Sequence, residues 1–393
     1  MNRKTILGFS MFINLCIGFS YTWSVFAGPL TEQLNRSLAE VTVAHPIGTL
    51  TFTIMSVVGG RIQDRFGPII AIRAGACLFG GGLILLSFTS TLVWLYICYG
   101  MITCGGAGIA YCAVLMNINN FYPERMGSAS GYVTACYGLS AVIFSPVAGF
   151  FIKTFGLLTA YRILGIFFFS MLSLSSFFIR RAPAVNLEKL RALSNSLTED
   201  KSWDKMIKTR QFYVIFLLMT IGCSAGLMII SQAAVLAENM MGVSAATAAL
   251  TLSLIAGANA SGRIAWGGLS DRIGRYNVLH SIYIISMLAL LCLSWIHSGQ
   301  YVLFVLLTIF IAFCYGGIFG TFPALVTEHF GAKNNSTNFG IILTGVGIGA
   351  FLGPMLLAVT MTTTPGNYSF AFYVSAALCF CGFLLTVILK KLK

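Results

Sequence analysis

The chain has 393 residues, of which 57% are hydrophobic and only 9% are charged. This composition excludes an ordinary soluble domain, because far too much apolar surface would remain in water, and it indicates a polytopic membrane protein. The net charge of +13 does not predict nucleic-acid binding, since the basic residues lie in short segments between apolar runs, where they orient membrane spans.

Twelve segments are apolar and long enough to cross a bilayer as helices, which takes about 20 residues. They are 6–28, 43–60, 69–89, 92–117, 128–152, 160–180, 211–237, 244–265, 277–297, 301–326, 337–361 and 367–390. A polar stretch follows the sixth span. We therefore predict an all-α membrane protein with a six-helix bundle at 1–180, a linker at 181–210 and a second six-helix bundle at 211–393.

The Lys and Arg residues predict how these spans are oriented. All 24 except Arg36, Lys153, Arg162 and Arg263 lie at the N-terminus, in or near the even-numbered loops, or in the C-terminal tail. The positive-inside rule therefore places both termini and the linker in the cytoplasm. A bacterial cytoplasmic membrane is the expected location, although the composition equally allows a eukaryotic plasma or organelle membrane.

One turn occurs twice. The first twin turn, residues 60–67, has the sequence Gly-Arg-Ile-Gln-Asp-Arg-Phe-Gly, and the second twin turn, residues 267–274, has Gly-Gly-Leu-Ser-Asp-Arg-Ile-Gly. Matching residues are separated by a constant 207 positions (271 − 64, for example). A parallel duplication explains this offset, and it predicts two pseudo-symmetric bundles with a binding site between them near the middle of the membrane.

The Asp-Arg pair of each twin turn supplies the candidate gating residues: Asp64, Arg65, Asp271 and Arg272. An aspartate at such a turn can cap the N-terminus of a helix or pair with a nearby arginine, and the glycines let two helix ends approach closely. Contacts of this kind close one face of a transporter in one state and break in the other. A purely static turn is the alternative interpretation.

Arg263 lies within the predicted eighth span, and a guanidinium at that depth costs about 2.5–3.5 kcal/mol on insertion scales. The acids all fall at span ends or in loops: Glu32, Glu40, Asp64, Glu124, Glu188, Glu199, Asp200, Asp204, Glu238, Asp271 and Glu328. The simplest partner is therefore a transported anion. The alternatives are that Arg263 snorkels to the membrane surface or neutralises Asp271, about 12 Å away along a helix.

Glycine and proline interrupt the fifth and eleventh spans. The residues are Gly138, Pro146 and Gly149 in the fifth, and Gly345, Gly347, Gly349, Gly353 and Pro354 in the eleventh. They let these helices bend and pack closely against neighbours, which suits a transporter that alternates between two states. Packing of small residues alone explains the same pattern.

Several segments resemble known families. They are Gly18-Phe-Ser-Tyr21-Thr-Trp23-Ser, Ala107-Gly-Ile-Ala-Tyr111, Phe121-Tyr-Pro123-Glu-Arg125-Met-Gly127, Tyr137-Gly138, Asn259-Ala-Ser-Gly-Arg263, Tyr315-Gly-Gly and Phe322-Pro323. With the twelve spans and the twin turns, the chain resembles the major facilitator superfamily. Within it, these segments are similar to the oxalate/formate antiporter family and to the monocarboxylate carriers.

The resemblance to the oxalate carriers implies two cations around a dianion, one at Arg263 and a lysine in the eleventh span. In this chain the lysine position is occupied by Val346, and Leu343 stands at its aromatic neighbour. Only one buried cation remains. Charge balance therefore favours a substrate with one carboxylate over oxalate.

The predicted substrate-binding residues are Arg263, Asn259, Tyr21, Tyr111, Tyr137 and Tyr315. Arg263 can hold a carboxylate with two parallel hydrogen bonds, and Asn259 lies one helical turn earlier on the same face. The tyrosines can donate hydroxyls and form walls around a small carbon skeleton. Each tyrosine is equally explained by packing or by a position at the membrane interface.

These observations predict a secondary carrier for small monocarboxylates such as pyruvate, lactate or formate, working as a monomer. Proton symport and anion exchange both remain open as coupling modes. The alternatives are an oxalate/formate-type dicarboxylate antiporter, an efflux carrier for an unrelated small molecule, and a transporter-derived nutrient sensor. No nucleophile, base and orienting acid converge at a recognisable spacing, and the eleven cysteines are scattered, so we expect no enzyme activity, cofactor or metal.

Overall fold

The computed structural model describes residues 2–183, 200–297, 299–363 and 368–392. Every regular element in these ranges is a helix, which confirms the all-α prediction. Of the predicted linker, residues 184–199 lie outside the described residues.

Eleven helices in the described ranges are long and apolar enough to cross a membrane, as a multi-pass protein requires. They correspond to the predicted spans one to seven and nine to twelve: Arg3–Leu34, Leu38–Phe66, Pro68–Leu86, Leu92–Phe121, Pro123–Phe155, Leu157–Ser176, Arg210–Met241, Arg275–Leu293, Tyr301–Phe330, Asn335–Thr363 and Ser369–Lys391. The predicted eighth span is the helix Ala245–Ile273, which has 29 residues. This helix is long enough to cross a membrane, but its Ala, Gly, Ser, Thr and Asn residues make it less apolar than the eleven helices named above.

Four of these spans contain a local irregularity, which in the fifth is the initial 3₁₀ turn Pro123–Arg125. The first is interrupted by the 3₁₀ turn Gly18–Thr22, the second begins with the short helix Leu38–Thr42, and the fourth includes the π-helix Tyr96–Thr103. A further short helix, Trp203–Met206, lies within the predicted linker. π-helical turns are rare and occur frequently at functional sites.

The helices divide into two compact units. Unit 1 comprises Met1–Glu124, Cys136–Trp203 and Phe330–Thr344, and unit 2 comprises Arg125–Ala135, Asp204–His329 and Gly345–Lys393. Within unit 1 the second span packs on the fourth and the third on the sixth. Within unit 2 the ninth span packs on the twelfth and the seventh on the eighth. This division differs from the predicted bundles at two segments, residues 125–135 and 330–344, and the duplication-based boundaries remain a prediction.

The two twin turns have nearly the same backbone conformation. Gly67 has φ 91° and ψ 169°, and Gly274 has φ 89° and ψ 155°. Each glycine ends its helix by donating its amide to a carbonyl four residues back, over 2.8 Å to Gln63 and 3.1 Å to Ser270. Residues with a side chain are strained at this positive φ. The sequence repeat is therefore also a repeat of local structure.

Glycines of the eleventh span lie against the seventh within unit 2. A Cβ added to Gly349 would lie 2.8 Å from the amide nitrogen of Ser224, and one added to Gly353 would overlap the Ser224 carbonyl. Helix backbones approach this closely only where side chains are absent. Gly149 in the fifth span differs, because an added Cβ there meets nothing within 4 Å.

Candidate functional site

Arg263 is buried in unit 2, with 1% of its surface exposed. Its Nε donates to Oδ1 of Asn259 over 3.1 Å, and its Nη1 donates to the backbone carbonyl of Thr134 over 2.8 Å. Thr134 belongs to the fifth-span helix (Met126–Phe155), and Asn259 lies one turn before Arg263 on the eighth-span helix (Ala245–Ile273). The guanidinium therefore does not reach a membrane surface by snorkelling.

The backbone around Arg263 is held by glycines on two neighbouring helices. A Cβ on Gly131 of the fifth span would overlap the Arg263 carbonyl. From the tenth span, a Cβ on Gly320 would lie 2.5 Å from the same carbonyl, and one on Gly316 would lie 3.0 Å from the Arg263 amide nitrogen. Because the backbone around Arg263 is packed closely on both sides, the position from which its side chain projects is fixed.

The face of the guanidinium lies over an aromatic ring. The Arg263 Cζ atom is 4.7 Å from the centroid of Phe319, a distance at which the ring stabilises the cation. Phe319 in turn contacts Tyr315 edge to face, with 5.2 Å between the centroids. Of the predicted site residues, Arg263, Asn259 and Tyr315 are thus linked in unit 2 through direct contacts.

Part of the guanidinium has no bonding partner in the described residues. An arginine has five N–H donors, and Arg263 uses one at Nε and one at Nη1, whereas its buried Nη2 has none engaged. Both Nη2 donors and one Nη1 donor are therefore unengaged in the described residues, and a carboxylate bound end-on takes one donor from each of these nitrogens. Among the described residues, Arg263 makes no ion pair with Asp or Glu.

The other three predicted tyrosines lie together in unit 1. The ring of Tyr137 contacts that of Tyr21 at 5.0 Å and that of Tyr111 at 5.3 Å, both edge to face. Phe52 contacts Tyr111 and Tyr137 at 5.3 and 5.9 Å. The Tyr137 hydroxyl is hydrogen-bonded to Ser20 over 3.0 Å. Tyr21 is 40% exposed, while Tyr111 and Tyr137 are buried.

At the first twin turn, Asp64 caps the eleventh-span helix (Asn335–Thr363). Its Oδ2 accepts from the backbone N of Thr337 over 2.8 Å and from the Thr337 hydroxyl over 2.6 Å. A negative charge at a helix N-terminus is stabilised by the exposed amides and the helix dipole. Arg65 is exposed, and its guanidinium lies 5.2 Å from the ring of the adjacent Phe66.

At the second twin turn, Asp271 caps the fifth-span helix. Its carboxylate accepts from the amides of Gly127 and Ser128 over 2.9 and 2.7 Å, and from the Ser128 hydroxyl over 2.7 Å. Arg275 also pairs with Asp271 at 2.6 Å and reaches Glu328 at 3.0 Å. Arg272 is exposed. Because Asp271 has this nearby cation, the alternative that it neutralises Arg263 has no support in the geometry.

The chain matches a known protein family along most of its length. The sequence model of the Major Facilitator Superfamily matches residues 8–354. The chain belongs to the major facilitator superfamily. The solved structure of the superfamily's proton:xylose symporter XylE, bound to 6-bromo-6-deoxy-D-glucose, matches with a TM-score of 0.75 and 14% identity over 97% of this chain and 94% of that one. At this identity the likeness concerns the fold alone, and it agrees with the predicted twelve-helix arrangement.

Relatives within the superfamily confirm the predicted branch. The uncharacterized MFS-type transporter YhjX of Escherichia coli (strain K12) is 28% identical over 346 residues, 88% of this chain and 85% of YhjX. The oxalate:formate antiporter of Oxalobacter formigenes is 26% identical over 368 residues, 94% and 86% of the two chains. Monocarboxylate transporter 12 of Xenopus laevis is 22% identical over 387 residues, 92% and 83% of the two chains.

Four contributors to these contacts were not predicted from the sequence. The Thr134 carbonyl is a backbone group, and its role depends on helix packing alone. Phe52 and Phe319 are two of 32 phenylalanines, so residue type did not single them out. Arg275 begins the next helix, on the other side of the Gly274 turn from Asp271, so helical spacing does not predict this pair.

Proposed function

We propose that this protein carries small monocarboxylate anions across the membrane by alternating access, with Arg263 as the group that binds the carboxylate. The observation that carries the proposal is the buried guanidinium whose Nη2 has no hydrogen-bond partner among the described residues. A buried ion without a counter-charge costs several kcal/mol even after the protein relaxes. An anion arriving from solution supplies that charge.

The donor arrangement supports a substrate with a single carboxylate. The Nη1–Nη2 edge can hold one carboxylate, while Nε is already used by Asn259. A dianion such as oxalate requires a second cation, and the position implied for it holds Val346, which is buried. Dicarboxylate exchange is the second candidate function, because the oxalate:formate antiporter is among the relatives. Val346 argues against it, since it provides no second cation.

The cost of an unpaired buried cation also favours exchange over uniport. An empty carrier would have to pass through the occluded state with Arg263 uncompensated, whereas a loaded carrier would not. The twin-turn residues Asp64, Arg65, Asp271 and Arg272 are the proposed gate of this cycle. We place the carrier, as a monomer, in a cell membrane with both termini in the cytoplasm.

Arg263→Ala tests the proposal in proteoliposomes. Uptake of labelled formate, acetate, pyruvate or lactate, whichever the native protein carries, should fall at least about 30-fold, since a charge-paired contact is worth roughly 2–5 kcal/mol. Arg263→Lys should also lose most uptake, because an ammonium lacks the planar fork.

Lys153→Ala is the matched control. It removes an exposed cation near the end of the fifth-span helix and should leave uptake unchanged. All variants are first shown to be folded and inserted by size-exclusion chromatography. Normal uptake by a correctly folded Arg263→Ala protein would refute the proposed role of this residue.

A further inference from the structure

The two twin turns are fastened differently, although the duplication makes them equivalent. In the second, Arg275 bonds both Asp271 and Glu328, so it ties the turn to the end of the tenth span. The residue 207 positions earlier (275 − 207) is Pro68. Proline carries no charge and no N–H donor. The first twin turn therefore has no cation at the position of Arg275, and Arg181, which donates to the Asp64 backbone carbonyl over 3.5 Å, does not bond the carboxylate in the described residues.

A different segment holds the loop that precedes the eleventh-span helix. Asp200 accepts from the amides of Ala332 and Lys333 over 2.9 and 3.1 Å. Lys201 donates its backbone N to the Phe330 carbonyl over 2.9 Å, and its own carbonyl accepts from the Asn338 side chain over 2.9 Å. We call residues 200–203 the strap.

The loop is shaped to receive the strap. Gly331 has φ +86°, which disfavours any residue with a side chain. A Cβ added to Gly331 would also overlap the Asp200 carboxylate and lie 2.8 Å from the Asp200 Cα. Glycine is thus required twice at this position, once for the backbone conformation and once for the space that Asp200 fills.

The strap also contacts the first twin turn. The guanidinium of Arg61, the second residue of that turn, lies 5.8 Å from the ring centroid of Trp203. All of these contacts lie within unit 1, as does the bond from Thr337 to Asp64. The strap therefore joins the loop before the eleventh span to the turn that caps this helix.

We propose that Asp200 is a positioning residue for the first twin turn: it fixes the loop 331–334 so that the first turn of the eleventh-span helix meets Asp64. The strap replaces the brace that Arg275 provides in the second twin turn. The inference rests on the proposed role of the twin turns as a gate, but its test requires no substrate.

Asp200→Asn in nanodiscs, followed by residue-resolved hydrogen exchange, provides the test. Ala332 and Lys333 lose a charged acceptor and exchange faster for that reason alone. The decisive amide is Thr337, which bonds Asp64 and not Asp200. It should exchange at least about tenfold faster, the effect of losing one charge-assisted hydrogen bond. The amides of Gly127 and Ser128, capped by Asp271, should be unchanged.

Two further variants complete the experiment. Asp200→Glu keeps the charge and should restore much of the protection at Thr337, whereas Lys201→Ala, whose strap contacts are made by the backbone, should behave as the native protein. Unchanged exchange at Thr337 in Asp200→Asn would overturn the inference, and so would equal acceleration at Gly127 and Ser128. Loss of monocarboxylate transport in every assay would refute the proposed function but leave this result standing.

Discussion

Each contact of Arg263 satisfies part of a charged group that is expensive to bury. The Asn259 oxygen, the Thr134 carbonyl and the face of Phe319 all present negative partial charge to the cation. None of them carries a full charge, so they lower the cost of desolvation without neutralising the ion. These contacts stabilise the buried cation and leave it the net charge that the proposed anion-binding role requires.

Val346 offers a test of charge matching at the scale of one residue. Val346→Lys introduces the second cation that the resemblance to oxalate carriers implies. We expect the ratio of dicarboxylate to monocarboxylate uptake to rise at least about tenfold, because an added charge pair is worth more than 1.4 kcal/mol when partly desolvated. Competition of oxalate and malonate against a labelled monocarboxylate measures the ratio.

Val346→Met is the control for size without charge, and it should leave the ratio as it is in the native protein. If the lysine and methionine variants show the same ratio, Val346 does not face the bound substrate.

At the scale of elements, the fifth-span and eighth-span helices are joined along one side in unit 2. Asp271 caps the start of the fifth-span helix, and Arg263 bonds the Thr134 carbonyl about two turns further along it. Between these points the backbones meet at Gly127, Gly131 and Gly267. The side chain proposed to bind cargo and the aspartate proposed as a gate thus hold the same short helical segment.

Gly131 and Gly149, on the same helix, form a matched pair for testing this packing. Gly131→Ala places a Cβ against the Arg263 carbonyl, and overpacking of this kind costs about 1–3 kcal/mol. Gly149→Ala adds a methyl group where nothing lies within 4 Å and replaces glycine with a better helix former.

Thermal unfolding in nanodiscs measures both variants of this pair. The Tm of Gly131→Ala should fall by several degrees, and that of Gly149→Ala should stay the same or rise. Equal Tm values would show that the close approach at Gly131 does not contribute to stability.

At the scale of the whole molecule, each unit includes the first turns of a helix whose remainder belongs to the other unit. These segments are Arg125–Ala135 and Phe330–Thr344. Each is held by the aspartate of a twin turn within its unit. In the proposed gating cycle one of these two caps is released, and polar contacts at a helix end are easier to break and remake than apolar core packing.

Trans-stimulation tests the proposed exchange cycle of the whole carrier. Vesicles preloaded with unlabelled monocarboxylate should take up the labelled compound at least about tenfold faster than empty vesicles, since only the loaded carrier avoids occluding an unpaired charge. Protein-free vesicles with the same loading provide the control for diffusion of the neutral acid. An imposed pH gradient that drives equal uptake into empty vesicles would support proton symport instead.

The sequence by itself determined the fold class and the resemblance to the oxalate/formate antiporter branch of the superfamily, and it singled out Arg263 as the candidate anion-binding residue. Hydropathy, charge and a repeated turn are local properties of the chain, so they can be recognised in the sequence without knowing how the helices pack. The sequence also predicted that Asp64 and Asp271 can cap a helix, because an acid in a glycine-bounded turn is well placed to accept from the amides at a helix N-terminus.

Only the tertiary structure decided which groups meet. It brought the Thr134 carbonyl and Phe319 to Arg263, brought Tyr21, Tyr111 and Tyr137 together within unit 1, and placed Asp200 in the space left by Gly331. Each of these contacts joins residues far apart in the chain. Their proximity depends on how helices pack, and the spacing of residues along one helix carries no information about that packing.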